Sequence, residues 1–204
     1  MPQQVINSFY YKTDELIKLN RWLFDNSRPF IKGRVLEVGS GSGIFSQVFA
    51  EENISVHLTY NDLNHLTKLQ QKFTGVTSIR GFHSFDFTHP YFEQIYSKSL
   101  GVFDTVISIN IIEQGYCKRV VIDNAKKLLR KKGHLIFITW SHTVPYPGID
   151  FSPTELKKKD RNKLRQFFDN CEILMTRYFS VLQQIESQFE NKLGISVLTV
   201  SRKK

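Results

Sequence analysis

One stretch constrains the fold more than any other: Val35-Leu36-Glu37-Val38-Gly39-Ser40-Gly41-Ser42-Gly43-Ile44-Phe45. An apolar run carries an acid near its end, three glycines alternate, and a helical pattern then opens. The order predicts a strand, a tight loop and a helix. Glycine lets such a loop take positive φ and lets a ligand reach the bare backbone. The helix that follows turns its free N–H groups and positive dipole end toward whatever binds there. A strand-to-helix turn that binds nothing is the plainer alternative.

The glycine spacing narrows the chemistry. A dinucleotide loop has the form G-x-G-x-x-G, with a pyrophosphate over the helix N-terminus. Here the third glycine falls one residue early, at Gly43, and Ile44 holds the dinucleotide position. Glu37 stands two residues before the first glycine, where a carboxylate repels a pyrophosphate and suits an ammonium group. The pattern E-x-G-x-G-x-G resembles motif I of the class I S-adenosylmethionine (AdoMet) methyltransferases. AdoMet carries a sulfonium, an ammonium and a carboxylate, and no phosphate.

Around this loop the chain alternates strand and helix patterns. Leu16, Leu19 and Leu23 mark a helix over Thr13–Phe24, closed by Asp25-Asn26-Ser27-Arg28-Pro29. Strands are expected at Arg34–Val38, Ile54–Tyr60, Val76–Phe82, Phe103–Ile109 and His134–Trp140. A helix follows the glycine loop, another runs to about Phe73, and a third carries Val121, Ala125, Leu128 and Leu129. That third helix is expected to stop at Lys132-Gly133, a C-terminal glycine signal. Beyond residue 140, Ser152-Pro153-Thr154-Glu155 has the form of a helix cap. Strands at Cys171–Phe179 and Gly194–Val200 flank a short amphipathic helix over Val181–Phe189.

Such alternation predicts a parallel, doubly wound sheet with right-handed crossovers. Ligands in these sheets bind beyond the carboxyl ends of the strands. The glycine loop, Asp62, Asp86 and Asn110 all fall at those ends. Asp62 follows the motif at about the distance at which an acid takes the hydroxyls of a ribose. It is equally placed to cap the helix opening at Leu63. Asp86 can accept from an adenine amino group while the Phe87 backbone N–H reaches a ring nitrogen; a solvated loop aspartate is the alternative. Asn110 lies where the methionine end of AdoMet would sit, or simply ends its strand.

Two further runs extend the resemblance. Phe103-Asp104-Thr105-Val106-Ile107-Ser108-Ile109-Asn110-Ile111-Ile112-Glu113-Gln114 looks like the fourth strand and following motif of bacterial class I methyltransferases. Ala125-Lys126-Lys127-Leu128-Leu129-Arg130-Lys131-Lys132-Gly133-His134-Leu135-Ile136 looks like the entry to their fifth strand. The resemblance covers Trp22 to Trp140. It implies an α/β fold with a seven-stranded, mostly parallel sheet, helices on both faces and an antiparallel last strand. It also implies AdoMet as cofactor, held by Glu37, Gly39, Ser40, Gly41, Gly43, Asp62, Leu63, Asp86, Phe87 and Asn110. One domain is expected over residues 1–204: a helical lead-in at 1–33, a cofactor core at 34–140, and substrate-side and closing strands at 141–204.

The substrate side departs from the pattern. Many relatives carry Glu-His where this chain has Glu113-Gln114, and a basic-aromatic segment where it has Pro147-Gly148-Ile149-Asp150-Phe151. Methyl transfer needs a base only when the acceptor holds a proton of high pKa. Glu113, His142 and Tyr146 are the candidates, and each reads equally as packing or surface. Tyr10 and Tyr11 are placed to cover the cofactor. Substrate choice is assigned to Ser141–Phe151 with the Val181–Phe189 helix.

Composition sets the partners. No apolar run reaches the ~20 residues of a membrane span, and no secretory signal opens the chain. Cys117 and Cys171 follow no metal or redox spacing, so no metal is expected and a cytoplasmic location is. The formal net charge is +9 over 204 residues. The lysines stand in separate segments, such as Lys126-Lys127 and Lys157-Lys158-Lys159, without interleaved aromatics. A nucleic-acid partner is therefore not expected, and the acceptor reads as a small or lipid-linked molecule. A cofactor-binding relative without turnover, and an RNA methyltransferase suggested by charge alone, are the alternatives.

Overall fold

The computed structural model describes residues 13–60, 62–109, 118–140, 171–179 and 196–204. Helix α1 spans Thr13–Ser27 and runs into a 3₁₀ turn, Arg28–Phe30. Then follow β1 Val35–Val38, α2 Ile44–Glu51, β2 Val56–Thr59, α3 Leu63–Lys72 and β3 Ile79–His83. A one-turn helix α4, Phe92–Ile95, and a 3₁₀ turn, Ser97–Ser99, precede β4 Phe103–Ile109. Helix α5 Lys118–Leu128 leads into β5 Leu129–Trp140, and β6 Cys171–Phe179 and β7 Ser196–Lys203 close the sheet.

The strands form one sheet in the order β3-β2-β1-β4-β5-β7-β6. All pairings among β1 to β5 are parallel, whereas β7 runs antiparallel to both β5 and β6. Both faces of β1 and β2 are covered, and every residue of these two strands is buried. Burial on both faces means that Glu37, His57 and Thr59, the polar residues of these strands, are buried as well.

Successive residues serve opposite faces. Val35, Val56, Leu58, Ile107 and Ile136 pack with α1, α2 and α3 through Leu23, Phe24, Val48, Phe49 and Leu69. Leu36, Val38, Val106, Leu135 and Phe137 pack with α5 through Val121, Ile122, Ala125 and Leu128. Phe49 anchors the first face, edge-on to Phe24 at 5.5 Å and to Phe45 at 5.4 Å. Burying one such ring contributes about 1.5–3 kcal/mol.

Two details differ from the sequence-based expectation. Helix α5 ends at Leu128, not at Lys132-Gly133. The register on β4 jumps from Phe103↔Leu129 to Thr105↔His134, so Arg130–Gly133 bulge out of β5. Lys203 explains the early stop, since its Nζ donates to the carbonyls of Lys126 (3.0 Å) and Leu129 (2.7 Å) and no glycine cap is needed. Gly133 serves the bulge instead, because a Cβ there would lie 2.9 Å from the Arg130 carbonyl and 3.0 Å from that of Asp104. The second difference is α4, a single turn too short to show a helical period in the sequence.

Strand order reverses at β1, whose neighbours are β2 and β4. The crevice beyond its carboxyl end is where this architecture receives ligands. The glycine loop occupies that position.

Candidate active site

The loop of residues 39–43 is built from three left-handed glycines and a frame of hydrogen bonds. Gly39, Gly41 and Gly43 have φ of 76°, 52° and 70°. The Gly39 N–H donates to Thr59 Oγ1 (2.6 Å) and the Ser40 N–H to the Thr59 carbonyl (3.3 Å), which ties the loop to the end of β2. The Gly43 N–H closes the turn on the Ser40 carbonyl at 2.8 Å. From α3, Lys72 Nζ donates to the Gly43 carbonyl (2.8 Å) and the Ser42 carbonyl (3.3 Å).

Gly41 and Gly43 do different work. A Cβ on Gly43 would meet Phe73 Cε2 at 2.7 Å and Leu69 Cδ2 at 3.0 Å, so this glycine lets α2 and α3 pack. A Cβ on Gly41 would have nothing nearer than the Gly39 carbonyl at 3.9 Å. The backbone at Gly41 is open to a ligand.

Glu37 lies near the end of β1 beneath the loop, only 3% exposed. Ser46, one turn into α2, donates its hydroxyl to Glu37 Oε2 at 2.6 Å. Burial raises the Glu37 pKa to about 7, against the opposing pull of the Ser46 and Ser40 hydroxyls and the Lys72 ammonium. Lys72 is itself lowered by burial, with Glu37 resisting the shift. A buried carboxyl half-neutral near pH 7 is poised to ionise against an arriving cation.

Asp62 is the N-cap of α3. Its Oδ1 accepts from the His65 N–H (2.9 Å), and its Oδ2 lies 2.8 Å from His65 Nδ1. These bonds hold its carboxyl below the ordinary range. The side chain remains 53% exposed, so capping leaves the ionised carboxylate accessible. Leu63 beside it is 73% exposed, an apolar surface at the same strand end. Asp86 accepts from the Thr88 hydroxyl (2.6 Å) and N–H (2.9 Å), which likewise hold it low. Its own N–H donates to the Tyr96 hydroxyl. The Phe87 side chain belongs to the core, and its carbonyl accepts from Asn124 Nδ2 at 2.8 Å.

The strand ends therefore gather Glu37, Ser40, the three glycines, Asp62 and Leu63 around one loop, with Asp86 and Phe87 following the next strand. Asn110, Glu113, His142 and Tyr146 lie outside the described residues, as do Tyr10, Tyr11 and the segments assigned to substrate choice. No cluster of metal-ligating side chains occurs among the described residues.

Four contributors escaped the sequence reading. Thr59, Ser46 and Lys72 frame the loop from other elements. Ser108, opposite Val38 in register, is buried with a hydroxyl that has no hydrogen-bond partner among the described residues. Ser46 alone left a trace, as a small polar residue on the buried face of an otherwise apolar helix.

The model of a methyltransferase-domain family matches residues 12–191. The chain belongs to this family, the class I AdoMet-dependent methyltransferases. A curated relative is the ribosomal RNA small subunit methyltransferase C of Erwinia tasmaniensis, 28% identical over 134 residues; the match takes in 62% of this chain and 36% of that protein. The chain thus matches little more than a third of the length of this relative. Solved structures share the fold at low identity. The [4+2]-cyclase SpnF has a TM-score of 0.64 and 15% identity, covering 92% of this chain and 81% of its own. The trans-methyltransferase CalH, in complex with SAH, has a TM-score of 0.62 and 17% identity, covering 91% and 55%. A SAM-dependent methyltransferase from Methanosarcina mazei has a TM-score of 0.61 and 13% identity, covering 86% and 95%.

Proposed function

We propose that the protein binds AdoMet at the glycine loop and transfers its methyl group to a small-molecule or lipid-linked acceptor. The observation that carries this reading is the buried Glu37 under an open, positive-φ Gly41. A cationic, phosphate-free ligand fits this pairing, because an anion there would further oppose the ionisation that burial already resists. AdoMet supplies an activated methyl donor, so the chain's task is positioning.

The residues divide that task. Glu37 would face the ammonium, with Ser46 fixing the carboxylate orientation. The open backbone at Gly41 admits the methionine end close to the loop. Asp62 offers a carboxylate oxygen to the ribose hydroxyls, and Leu63 gives the adenine an apolar face. Asp86 and the Phe87 N–H would read the adenine edge, and Asn110 would meet the methionine end. Holding donor and acceptor in line can supply up to roughly 7–11 kcal/mol of barrier lowering. Glu113, His142 and Tyr146 remain the candidates for any proton transfer.

A second reading, AdoMet binding without methyl transfer, draws on Gln114 in place of the histidine of many relatives. A solved neighbour described as a [4+2]-cyclase also supports it. An RNA acceptor is supported by the curated relative that is a ribosomal RNA methyltransferase.

Isothermal calorimetry with AdoMet and SAH tests the cofactor assignment. Gly41→Ala should abolish or strongly weaken binding, and Asp62→Ala should weaken it about tenfold to a hundredfold. Unchanged affinity in Gly41→Ala would refute the loop as the site. Unchanged affinity in Asp62→Ala, with a lowered apo melting temperature, would leave Asp62 as a helix cap alone.

A further inference from the structure

The basic residues that look dispersed along the sequence converge in space. Parallel strands all enter the sheet at one edge, and the antiparallel β7 leaves at that same edge. The register pairs Val35 with Val56 and Thr105, Thr105 with His134, and His134 with Arg202. The residues just before or at these strand ends therefore share one rim, opposite the glycine loop. Lys32, Arg34, Arg80, Lys131, Lys132 and Lys204 stand there, all exposed. From β3 to β7 the rim crosses five strand spacings, about 24 Å.

Cations on this rim that have an internal task are already accounted for. Arg130 pairs with Asp104 at 2.6 Å, and Lys203 caps α5. Nearby, Glu51 and Glu52 are engaged by Arg21 and Arg28. None of the six exposed cations has a carboxylate partner among the described residues.

The rim also holds a shaped site. An open depression of about 430 Å³ is lined by Arg34, Ser55, His57 and Arg80. The Arg34 guanidinium is fixed there, donating from Nε to His57 Nε2 at 3.1 Å and lying over the Phe103 ring at 5.9 Å. His57 Nδ1 lies 2.9 Å from His83 Nε2, which braces the acceptor in turn. A guanidinium held by its Nε keeps its outer N–H groups for a ligand, and a preorganised fork suits phosphate oxygens.

We propose that this rim docks a phosphodiester backbone, that of RNA or DNA, with Arg34 and Arg80 as its anchor. Nucleic acid fits better than an anionic membrane. The exposed large apolar side chains among the described residues are Ile17, Trp22, Ile44, Leu63, Tyr91 and Ile95, and none belongs to these strand ends. Membrane-surface helices add apolar burial to their charge, and the described residues of this rim have none to offer. The dock lies across the sheet from the cofactor loop, so it places the protein on a polyanion without itself presenting a methyl acceptor. The proposal stands whether or not the acceptor is small.

Fluorescence anisotropy tests it, with labelled single-stranded RNA, duplex RNA and duplex DNA, and vesicles rich in phosphatidylserine. Wild type should bind nucleic acid with an affinity that falls as salt rises. In single-strand binding, the log–log salt slope should flatten by about 0.7 for each phosphate that Arg34→Gln/Arg80→Gln no longer neutralises. Lys131→Gln/Lys132→Gln, on the exposed bulge, should act in the same direction, and Lys68→Gln on α3 should not. AdoMet calorimetry should match wild type for all variants, and each should keep a single cooperative melting transition. The three nucleic-acid probes separate RNA from DNA docking. Absence of binding to every nucleic acid would overturn the proposal. So would an equal loss in Lys68→Gln, or an Arg34- and Arg80-dependent affinity confined to vesicles.

Discussion

Glu37 and His57 lie on neighbouring strands, one register step apart, and both are buried. The same force, removal from water, pushes them in opposite directions. Glu37 rises to about 7, and His57 falls to about 4. Their surroundings differ in sign. Around Glu37 there are hydroxyls and one lysine, and the space above Gly41 is open. Around His57 stand His83, Arg34 and Arg80, whose positive charges deepen the effect of burial. His83 is lowered for the same two reasons, burial and Arg34. A buried group held neutral records the charge it is missing. A cation would relieve Glu37 and an anion His57, whose side chains face opposite sides of one sheet.

The largest test of this contrast is Glu37→Gln. The shift from 4.5 to about 7 corresponds to about 3 kcal/mol of resisted ionisation above pH 7. A group with a raised pKa costs nothing below its unfolded value and progressively destabilises the fold as pH climbs through this window. Glu37→Gln should therefore stabilise the apo protein at pH 8 by up to about 3 kcal/mol in urea unfolding, while weakening AdoMet by about a hundredfold. Stabilisation without loss of affinity would separate Glu37 from the cofactor. In wild type, AdoMet affinity should rise from pH 5 to 7, with proton release visible as a buffer-dependent binding enthalpy.

A smaller effect distinguishes packing from binding within the loop. Gly43→Ala forces a Cβ into Phe73 and Leu69 at positive φ, and should cost about 2–3 kcal/mol in stability. Gly41→Ala bears only the backbone strain, about 1–2 kcal/mol. Equal destabilisation by the two would remove the distinction between them.

The last effect lies in the acid range, at His57. Its lowered pKa contributes stability that is complete above the unfolded value of 6.5 and is lost as pH falls toward 4. The melting temperature should decline across that window, and His57→Gln should flatten the decline. Inorganic phosphate should protect wild type there, and protect Arg34→Gln less.

The loop was legible in the sequence because its logic is local. Three glycines and an acid within seven residues specify a strand end, a turn and a helix start without reference to the rest of the chain. The mostly parallel sheet was legible from the alternation of strand and helix patterns, and its antiparallel closing strand from the resemblance to class I methyltransferases. What frames the loop was not legible. Thr59, Ser46 and Lys72 reach it from three other elements, and only the fold brings them together. The same holds for charge. Reading Lys131, Arg34 and Arg80 along the chain gives scattered cations, whereas parallel pairing sets their strand starts side by side. Lys132-Gly133 misled in the opposite way: a local stop signal was overruled by Lys203, which is remote in sequence and caps α5 at Leu128 instead.

The placement of β7 bears on how the molecule is assembled. It follows β6 in the chain yet lies between β5 and β6, pairing with both. Until it inserts, β5 presents an open row of amide and carbonyl groups, and β6 has no ladder to join. Insertion joins distant parts of the chain, the kind of pairing that slows folding. In the interval the unfinished edge is a template for strands of other molecules. The step that completes the sheet is thus also the step that closes the β5 edge to other molecules.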